Sequence, residues 1–531
     1  MSPTARTPRS RRTLSFAVVT LDPPAKWQVR CVDELAAVPG VDIAIWLRRS
    51  RGRLDPEPSA TGPRSEATLT GAEARSSVAA AHVDVLLDLT AEPVAGASPP
   101  FAPPAAEAWR YRYGPGRTTD VDAAALRSYV RGSRGTRVAL VREGDGHILR
   151  EGLVQTTTWW RGTLVDHLLA DVVAWPAAVA RDRLRAPATK KTTAAEPPHA
   201  SLPAESGRSL PGLPLAIGAV GRRIVGMADT VLRQPDWRIG IIDAPIEAAL
   251  GPGFPAATTW LPLHPGHYHA DPFGIVRDGV LHVVFEDFDQ ALGIGTIEHV
   301  AVAADGSVTD PIPVLLGDGH RSYPFLVEDE GSVFMLPESS DRGRLELYEA
   351  DPFPFRWRLA ATLLTDVPAV DPSVVLVDGT WWLFATRADQ GDNHSLSIWH
   401  APHLLGPWTA HLGNPVKTDV RSSRPGGTPF VVDGTVYRPA QDASRRYGGA
   451  LVINRVEELT PTSFREVAAA SIAPPAAWPA RDGLHTLSAA GRRTLVDAND
   501  MHVVPGAAGR AIRRRLAAVK DAARRGKTSD G

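Results

Sequence analysis

The sequence predicts a two-part protein, an α/β Rossmann-like domain followed by an all-β five-bladed propeller. Three observations carry this prediction. Residues 14–185 alternate strand-length apolar runs with helical spacing. Residues 186–213 are rich in Ala, Pro, Ser and Thr and have no apolar periodicity, as a linker does. From residue 237 to 505 a strand–turn–strand pattern returns at a period of about 50 residues, the sequence mark of propeller blades.

In the first part, "LSFAVVTL" and "VDIAIWLRR" read as strands flanking "KWQVRCVDELAAVPG", a helix with a Pro-Gly stop. "HVDVLLDLT" (82–90) is a third buried strand, and "GTRVALVREG" with "HILREGLVQTTT" makes a hairpin. "TLVDHLLADVVAWPAAVARDRLR" is an amphipathic helix. Such alternation predicts a parallel sheet over 14–185. No GxGxxG follows the first strand, so a dinucleotide site is not indicated. The order of elements resembles a formyltransferase-like domain. Folate-dependent formyltransferases use an Asn, a His in a His-Pro-type motif and an Asp. That set is not found here, and "DLT" runs into "AEPVAGASPPFAPP". A degenerate, structural or docking domain is therefore expected.

The remaining boundaries are a linker at 186–213, the propeller at 214–505 and a basic, partly helical tail at 506–531. Bulk composition narrows the function classes. Hydrophobic residues make up 43% and charged residues 22%, and net charge is −1, so nothing global points to nucleic acid or an anionic membrane. The single cysteine, Cys31, excludes an internal disulfide framework and a Cys-based zinc cluster, and fits a cytoplasmic location. No apolar run approaches the ~18–20 residues of a transmembrane helix. Arg11 and Arg12 imitate a twin-arginine signal, yet the apolar stretch Leu14–Leu21 is short, which predicts a basic tip before a buried strand.

The repeat is "HADPFGIVRDGVLHVVFED", "SYPFLVEDEGSVFMLPES", "VDPSVVLVDGTWWLFAT", "RPGGTPFVVDGTVYRPAQD" and the shorter "GLHTLSAAGRRTLVDAN". Each unit has a leading polar residue, a strand, a turn that is mostly Asp-Gly, and a second strand. The innermost strand of a propeller blade runs along the central channel. Asp271, Tyr323, Asp371, Arg424 and His485 are thus expected to converge at one mouth of it. Carboxylates from blades one and three point to glycosyl chemistry, one acid ionised as base or nucleophile and another donating a proton.

At this point the sequence resembles the five-bladed arabinanase/β-xylosidase clan, glycoside hydrolase family 43. "HADPFGI" looks like the first-blade motif that carries the general base, and "AVDPSVVLVDG" like the third-blade motif whose Asp tunes the acid. The resemblance implies these roles for Asp271 and Asp371. The family's acid is a Glu in a Glu-Gly-Pro motif opening the next blade, where this chain has "SSRPGGTPF". Glu338 in "LPES" and Glu286 in "FEDF" are the candidates for a displaced donor, with a core-capping or salt-bridged role as the alternative for both. The run from "SYPF" through "RPGGTPFVVDGTVYRPAQD" to "YGG" also resembles the N-terminal propeller of plant glucosamine inositolphosphorylceramide transferases. That likeness implies a carbohydrate-linked module.

Candidate ligand contacts are His269, Tyr323, Arg421, Arg424, Arg438, Gln441, Asp442, Tyr447 and His485, together with Glu286. Guanidinium groups suit carboxylate or phosphate, and Gln or Asp suits vicinal hydroxyls, so the expected partner is a glycan or glycoconjugate, acidic or phosphorylated. An Arg–Asp network locking blade four is the competing reading. His264, His267 and His269 form the one metal-like cluster. They are read as sugar-contacting or structural, and no metal or cofactor is expected. Trp381, Trp382, Trp399 and Trp408 are candidates for a stacking platform. Strict alternation sends one of Trp381 and Trp382 into the core, and Trp408 is read as packing.

Overall fold

The computed structural model describes residues 12–21, 24–50, 53–57, 83–90, 105–114, 117–131, 133, 135–155, 165, 168–169, 172–185, 233–251, 253–254, 257–315 and 319–503. The linker at 186–213, the tail at 506–531 and Arg11 lie outside them. The chain divides into two compact units, chiefly residues 1–206 and 207–531.

The first unit holds a seven-stranded sheet. Its strands are β1 (Leu14–Leu21), β2 (Val41–Ser50), β3 (Arg53–Glu57), β4 (Val83–Asp88), β5 (Ala105–Tyr113), β6 (Gly135–Arg142) and β7 (Ile148–Gln155), in the order β3-β2-β1-β4-β5-β6-β7. The pairs β1–β2, β1–β4 and β4–β5 are parallel, whereas β2–β3 and β5–β6 are antiparallel. Helix α1 (Lys26–Ala36) buries Gln28, Cys31, Val32 and Leu35, one stripe at helical spacing. The Gln28 amide crosses from this helix to the Leu89 carbonyl at 2.9 Å. Helices α2 (Val121–Arg131) and α3 (Trp175–Arg185) are also described in this unit, and the single helix expected over 163–185 is interrupted by a turn at 172–174 just before α3. No asparagine precedes Asn393 in the chain, so the Asn of the formyltransferase set has no counterpart in this unit.

The second unit is the propeller. Four consecutive four-stranded meanders start at His267, Ser322, Ala369 and Phe430, the third carrying an additional short strand, Lys417–Thr418. The fifth blade is composite. Leu487–Ala490 and Arg493–Val503 supply its inner half, and Arg233–Ile242 with Thr259–Trp260 supply its outer half. The register runs from Thr494↔Ile242 to Val503↔Arg233, so the two ends of the repeat region close the ring on each other.

The hairpins explain the turn motif. Asp278-Gly279, Glu330-Gly331, Asp378-Gly379 and Asp433-Gly434 all have positive φ at both residues. That is the type I′ geometry whose twist matches paired strands, and it is why Asp-Gly recurs. Trp381, Trp382 and Trp399 are all buried and Trp408 packs against the same core, so none forms a stacking platform. Trp381 and Trp382 do point to opposite faces, but each face meets a neighbouring blade, and both rings end in core clusters.

Candidate functional site

The mouth is built by a backbone device repeated in three blades. Asp271-Pro272, Tyr323-Pro324 and Asp371-Pro372 sit at register breaks in the inner strands, between Ala270 and Phe273, Ser322 and Phe325, and Val370 and Ser373. The leading residues have φ of 52°, 47° and 49°. A bulge re-aims a side chain that a regular pleat would send elsewhere, and a non-glycine residue at positive φ stores strain that surrounding contacts must hold. Arg424 and His485 do not share this geometry. They come from the irregular segments before the short inner strands of blades four and five, and their side chains reach the same centre from there.

A second ring lies behind the first. Glu286, Glu338, Thr386 and Gln441 hold the same place in their blades, counted from the first residues of the second strands at Val280, Ser332, Thr380 and Thr435. All four are buried.

Around Asp371 the contacts are dense. Arg424 donates from Nε at 2.6 Å and from Nη2 at 3.3 Å to its two carboxylate oxygens, and Gln441 Nε2 donates at 2.6 Å. The Asp371 amide donates to Glu338 Oε2 at 3.1 Å, and the Ser340 hydroxyl donates to Glu338 Oε1 at 2.9 Å. Burial, then the negative charge of Asp371, push the Glu338 carboxyl up to about 8. Tyr447, 43% exposed, covers Arg424 with its ring centroid 4.8 Å from the guanidinium carbon. Tyr323 ties three blades together, its hydroxyl accepting from the Gly427 amide at 2.6 Å and lying 2.9 Å from Ser373 Oγ.

Asp271 is held from the fifth blade. Its amide donates to Asp497 Oδ2 at 3.1 Å, and the Thr486 hydroxyl donates to its Oδ1 at 2.8 Å. His485 places Nε2 3.4 Å from Asp271 and Nδ1 2.7 Å from Asp497. Its ring stacks on Trp237 with centroids 4.0 Å apart. Burial raises the Asp271 carboxyl to about 6, the positive charge of His485 opposing the shift and the negative charge of Asp371 reinforcing it. The Glu286 carboxyl stands well above its ordinary value for the same first cause, with Asp271 next. Burial works against protonation of His485, yet Asp497 and Asp271 together lift it above the ordinary range.

Asp271, His485 and Asp497 bring ligand-type atoms within 4.8 Å of one another. Asp497 accepts the amides of Asp271, His485 and Thr486, so a cation there would have to displace bonds that now fix the loop. His269 and His267 both turn to Asp287, at 3.2 and 2.7 Å, and the metal-like run is thereby a His–Asp–His clamp. Beside it, between blades five and one, a cleft of about 310 Å³ is lined by residues including Asp236, His264, His267, Gln290 and His502.

The expected arginine cluster is dismantled by pairing. Arg438, fully buried, bonds Glu466 at 3.0 and 2.6 Å and the Ser422 and Ser423 carbonyls, locking blade four. Arg421 forms a forked pair with Asp419 at 2.9 and 2.6 Å. Asp442 accepts the Ser444 amide at 2.9 Å, closing a turn. Of the three arginines only Arg424 stands at the mouth, and there it neutralises Asp371. Sequence reasoning missed Trp237, Thr486 and Asp497. The "VDAND" run was the available signal for Asp497, whereas Trp237 lies in a strand whose blade membership no local pattern reveals.

Residues 252–477 match the family described as glucosamine inositolphosphorylceramide transferase 1, N-terminal. Two curated relatives carry the name glucosamine inositolphosphorylceramide transferase 1. The one from Oryza sativa subsp. japonica is 36% identical over 210 residues, and the one from Arabidopsis thaliana is 34% identical over 209 residues. Each alignment takes in 38% of this chain, and the chain spans only 28% and 27% of their length. Among solved structures, an exo-β-1,3-galactanase from Clostridium thermocellum aligns with TM-score 0.33 and 12% identity, covering 39% of this chain and 52% of that one. A family 117 glycoside hydrolase from Zobellia galactanivorans aligns with TM-score 0.31 and 13% identity, covering 44% and 85%. No described helix is long and apolar enough to cross a membrane. By sequence, the matched part of the chain lies in the propeller, and the proteins that share it are carbohydrate-related by name.

Proposed function

We propose that the propeller mouth acts on a glycosidic bond of a glycan or glycoconjugate, with Asp271 as general base and Glu338 as general acid. The observation that supports this most is the pair of buried carboxyls driven to different values by their surroundings. Asp271 is raised to about 6 beside His485, and Glu338 to about 8 beside Asp371. Two acids with separated affinities for protons are what acid–base cleavage at neutral pH requires. Asp371 is the positioning and tuning carboxylate, since it is fixed by Arg424 and Gln441 and its charge lifts the donor. Glu286, another buried carboxyl of the cluster, and Tyr447 at the rim contact the sugar in this reading.

The test is a pH–rate profile on aryl glycosides and oligosaccharides. Activity rises as Asp271 ionises near pH 6 and falls as Glu338 ionises near pH 8, giving a bell. Asp271→Asn abolishes turnover, and Glu338→Gln removes the alkaline limb and lowers kcat by about 10²–10⁴-fold. Turnover unaffected by either substitution would refute the assignment.

One observation favours a second reading, a sugar-binding accessory module in glycan or glycolipid assembly. Arg424 fills the region where the hydrolase resemblance calls for a glutamate, and it closes an ion pair there. Binding on a glycan array with no turnover of any bound sugar would select that reading.

A further inference from the structure

Nearly every cation around the mouth is matched. Arg424, Arg421, Arg438 and Arg446 pair with Asp371, Asp419, Glu466 and Asp482. Arg321, which the sequence did not mark, is the exception. It precedes the inner strand of blade two and is 4% exposed, yet among the described residues no carboxylate pairs with it. Its backbone amide donates to the Gly295 carbonyl at 3.0 Å, pinning it to the seam with blade one. Its side chain makes one hydrogen bond, from Nη2 to the Tyr348 hydroxyl at 3.4 Å, and its guanidinium carbon lies 5.6 Å from the Tyr348 ring centroid. Nε and Nη1 are buried with no acceptor among the described residues.

The nearest acid in this network is already taken. Glu346 receives Arg344 Nε on Oε1 at 2.8 Å and the Tyr348 hydroxyl on Oε2 at 2.8 Å. Arg321 reaches that carboxylate only through the Tyr348 hydroxyl, so among the described residues its guanidinium has no direct carboxylate partner. A buried guanidinium with unmet donors is costly, and a protein keeps one where a counter-charge arrives from outside. Nε and an Nη together present the fork that planar or tetrahedral oxyanions accept. Arg344, with its side chain 49% exposed, and half-buried Tyr348 are the other members of this network.

We propose that Arg321 anchors an oxyanion subsite at the seam of blades one and two, taking a phosphate or carboxylate group carried by a sugar ligand. The subsite is separate from the arginines expected from sequence. It rests on the reading of the mouth as a sugar site only for what carries the anion. The binding test below needs no turnover, so its failure and the failure of the catalytic reading are separate results.

The experiment is a thermal-shift titration of the full chain with inorganic phosphate, a hexose 6-phosphate and glucuronate, each against chloride at matched ionic strength. The wild type melts higher with at least one of the oxyanions and not with chloride. Arg321→Met weakens the apparent affinity at least tenfold, Arg321→Lys retains part of it, and Arg446→Gln leaves it unchanged. A larger response to the hexose phosphate than to glucuronate identifies a phosphoryl group, and the reverse order a carboxylate. No oxyanion response in the wild type, or an equal response in Arg321→Met, overturns the proposal. Should Arg321→Met fail to fold, Arg344→Gln decides. It frees Glu346 to pair with Arg321 and weakens the oxyanion response several-fold, and an undiminished response there overturns the proposal too.

Discussion

Arg424 and Glu338 define Asp371 from two sides, and each makes a prediction that stability measurements can read without any substrate. Arg424 carries the counter-charge of a carboxylate that is 2% exposed. Removing it leaves Asp371 buried and uncompensated, so Arg424→Met should cost about 3–5 kcal/mol in urea unfolding. Adding Asp371→Asn removes the orphaned charge and should recover most of that loss. A double variant no more stable than the single one would mean that the ion pair is not the source of the cost. Glu338 works through its proton. Folded, it holds the proton up to about pH 8, whereas an unfolded glutamate releases it near its ordinary value. Across that window the folded state binds more protons than the unfolded one, so stability falls as pH rises. Glu338→Gln keeps an acceptor for the Asp371 amide and has no proton to lose. The fall in unfolding free energy between pH 5 and pH 8 should shrink by roughly 1–3 kcal/mol, read from urea melts at several pH values. An unchanged slope would exclude Glu338 as the titrating group.

At the scale of single elements, the seams between blades are fixed by short polar links laid over apolar contacts. Gly427 is the tightest of these. A Cβ added there would stand 1.8 Å from the Leu487 carbonyl oxygen, and its φ of 125° already disfavours a side chain. Gly427→Ala should therefore open the seam between blades four and five and lower the melting temperature by ten degrees or more, roughly 3 kcal/mol or above. Tyr323→Phe touches the same link from the other side and removes only the hydroxyl. It should cost about 1–3 kcal/mol, as loss of partners for Gly427 and Ser373 implies. These seams also show what was readable beforehand. The Asp-Gly hairpins and the leading acids were legible because turn chemistry and strand alternation are local, and they gave Asp271, Tyr323 and Asp371 the equivalent places in three inner strands that the register shows. Arg424 and Arg438 look alike in sequence, being two arginines near prolines in one blade. What separates them is Glu466, on the last strand of that blade, which takes Arg438 into the core. The four tryptophans failed as a platform for a similar reason. Alternation reports that a residue faces a different side of its sheet, and in a propeller both sides of a blade are covered by other blades.

At the scale of the whole propeller, closure is the property on which the mouth depends, and it was the least visible in the sequence. The strand Arg233–Ile242 pairs along its length with Arg493–Val503, although some 250 residues separate them. No local pattern encodes that register, so the repeat looked like five units in sequence when the fifth is in fact assembled from both ends. The composite blade does more than close the ring. It carries Trp237 against the His485 ring, with Asp497 on the partner strand gripping the Asp271 amide, so Asp271 is positioned by the closure itself. A chain from which residues 233–260 are removed keeps every residue of the first four blades and the inner half of the fifth. It also exposes the full edge of Arg493–Val503, an open template for pairing with other chains. Such a chain should lose the cooperative melting transition of the propeller and associate, as read by calorimetry and light scattering. A peptide spanning 233–260 supplied in excess should restore a monomeric transition. If the deleted chain instead melted as sharply as the intact one, the pairing of Arg233–Ile242 would contribute nothing to closure. Asp271 would then have to be held by blade one alone.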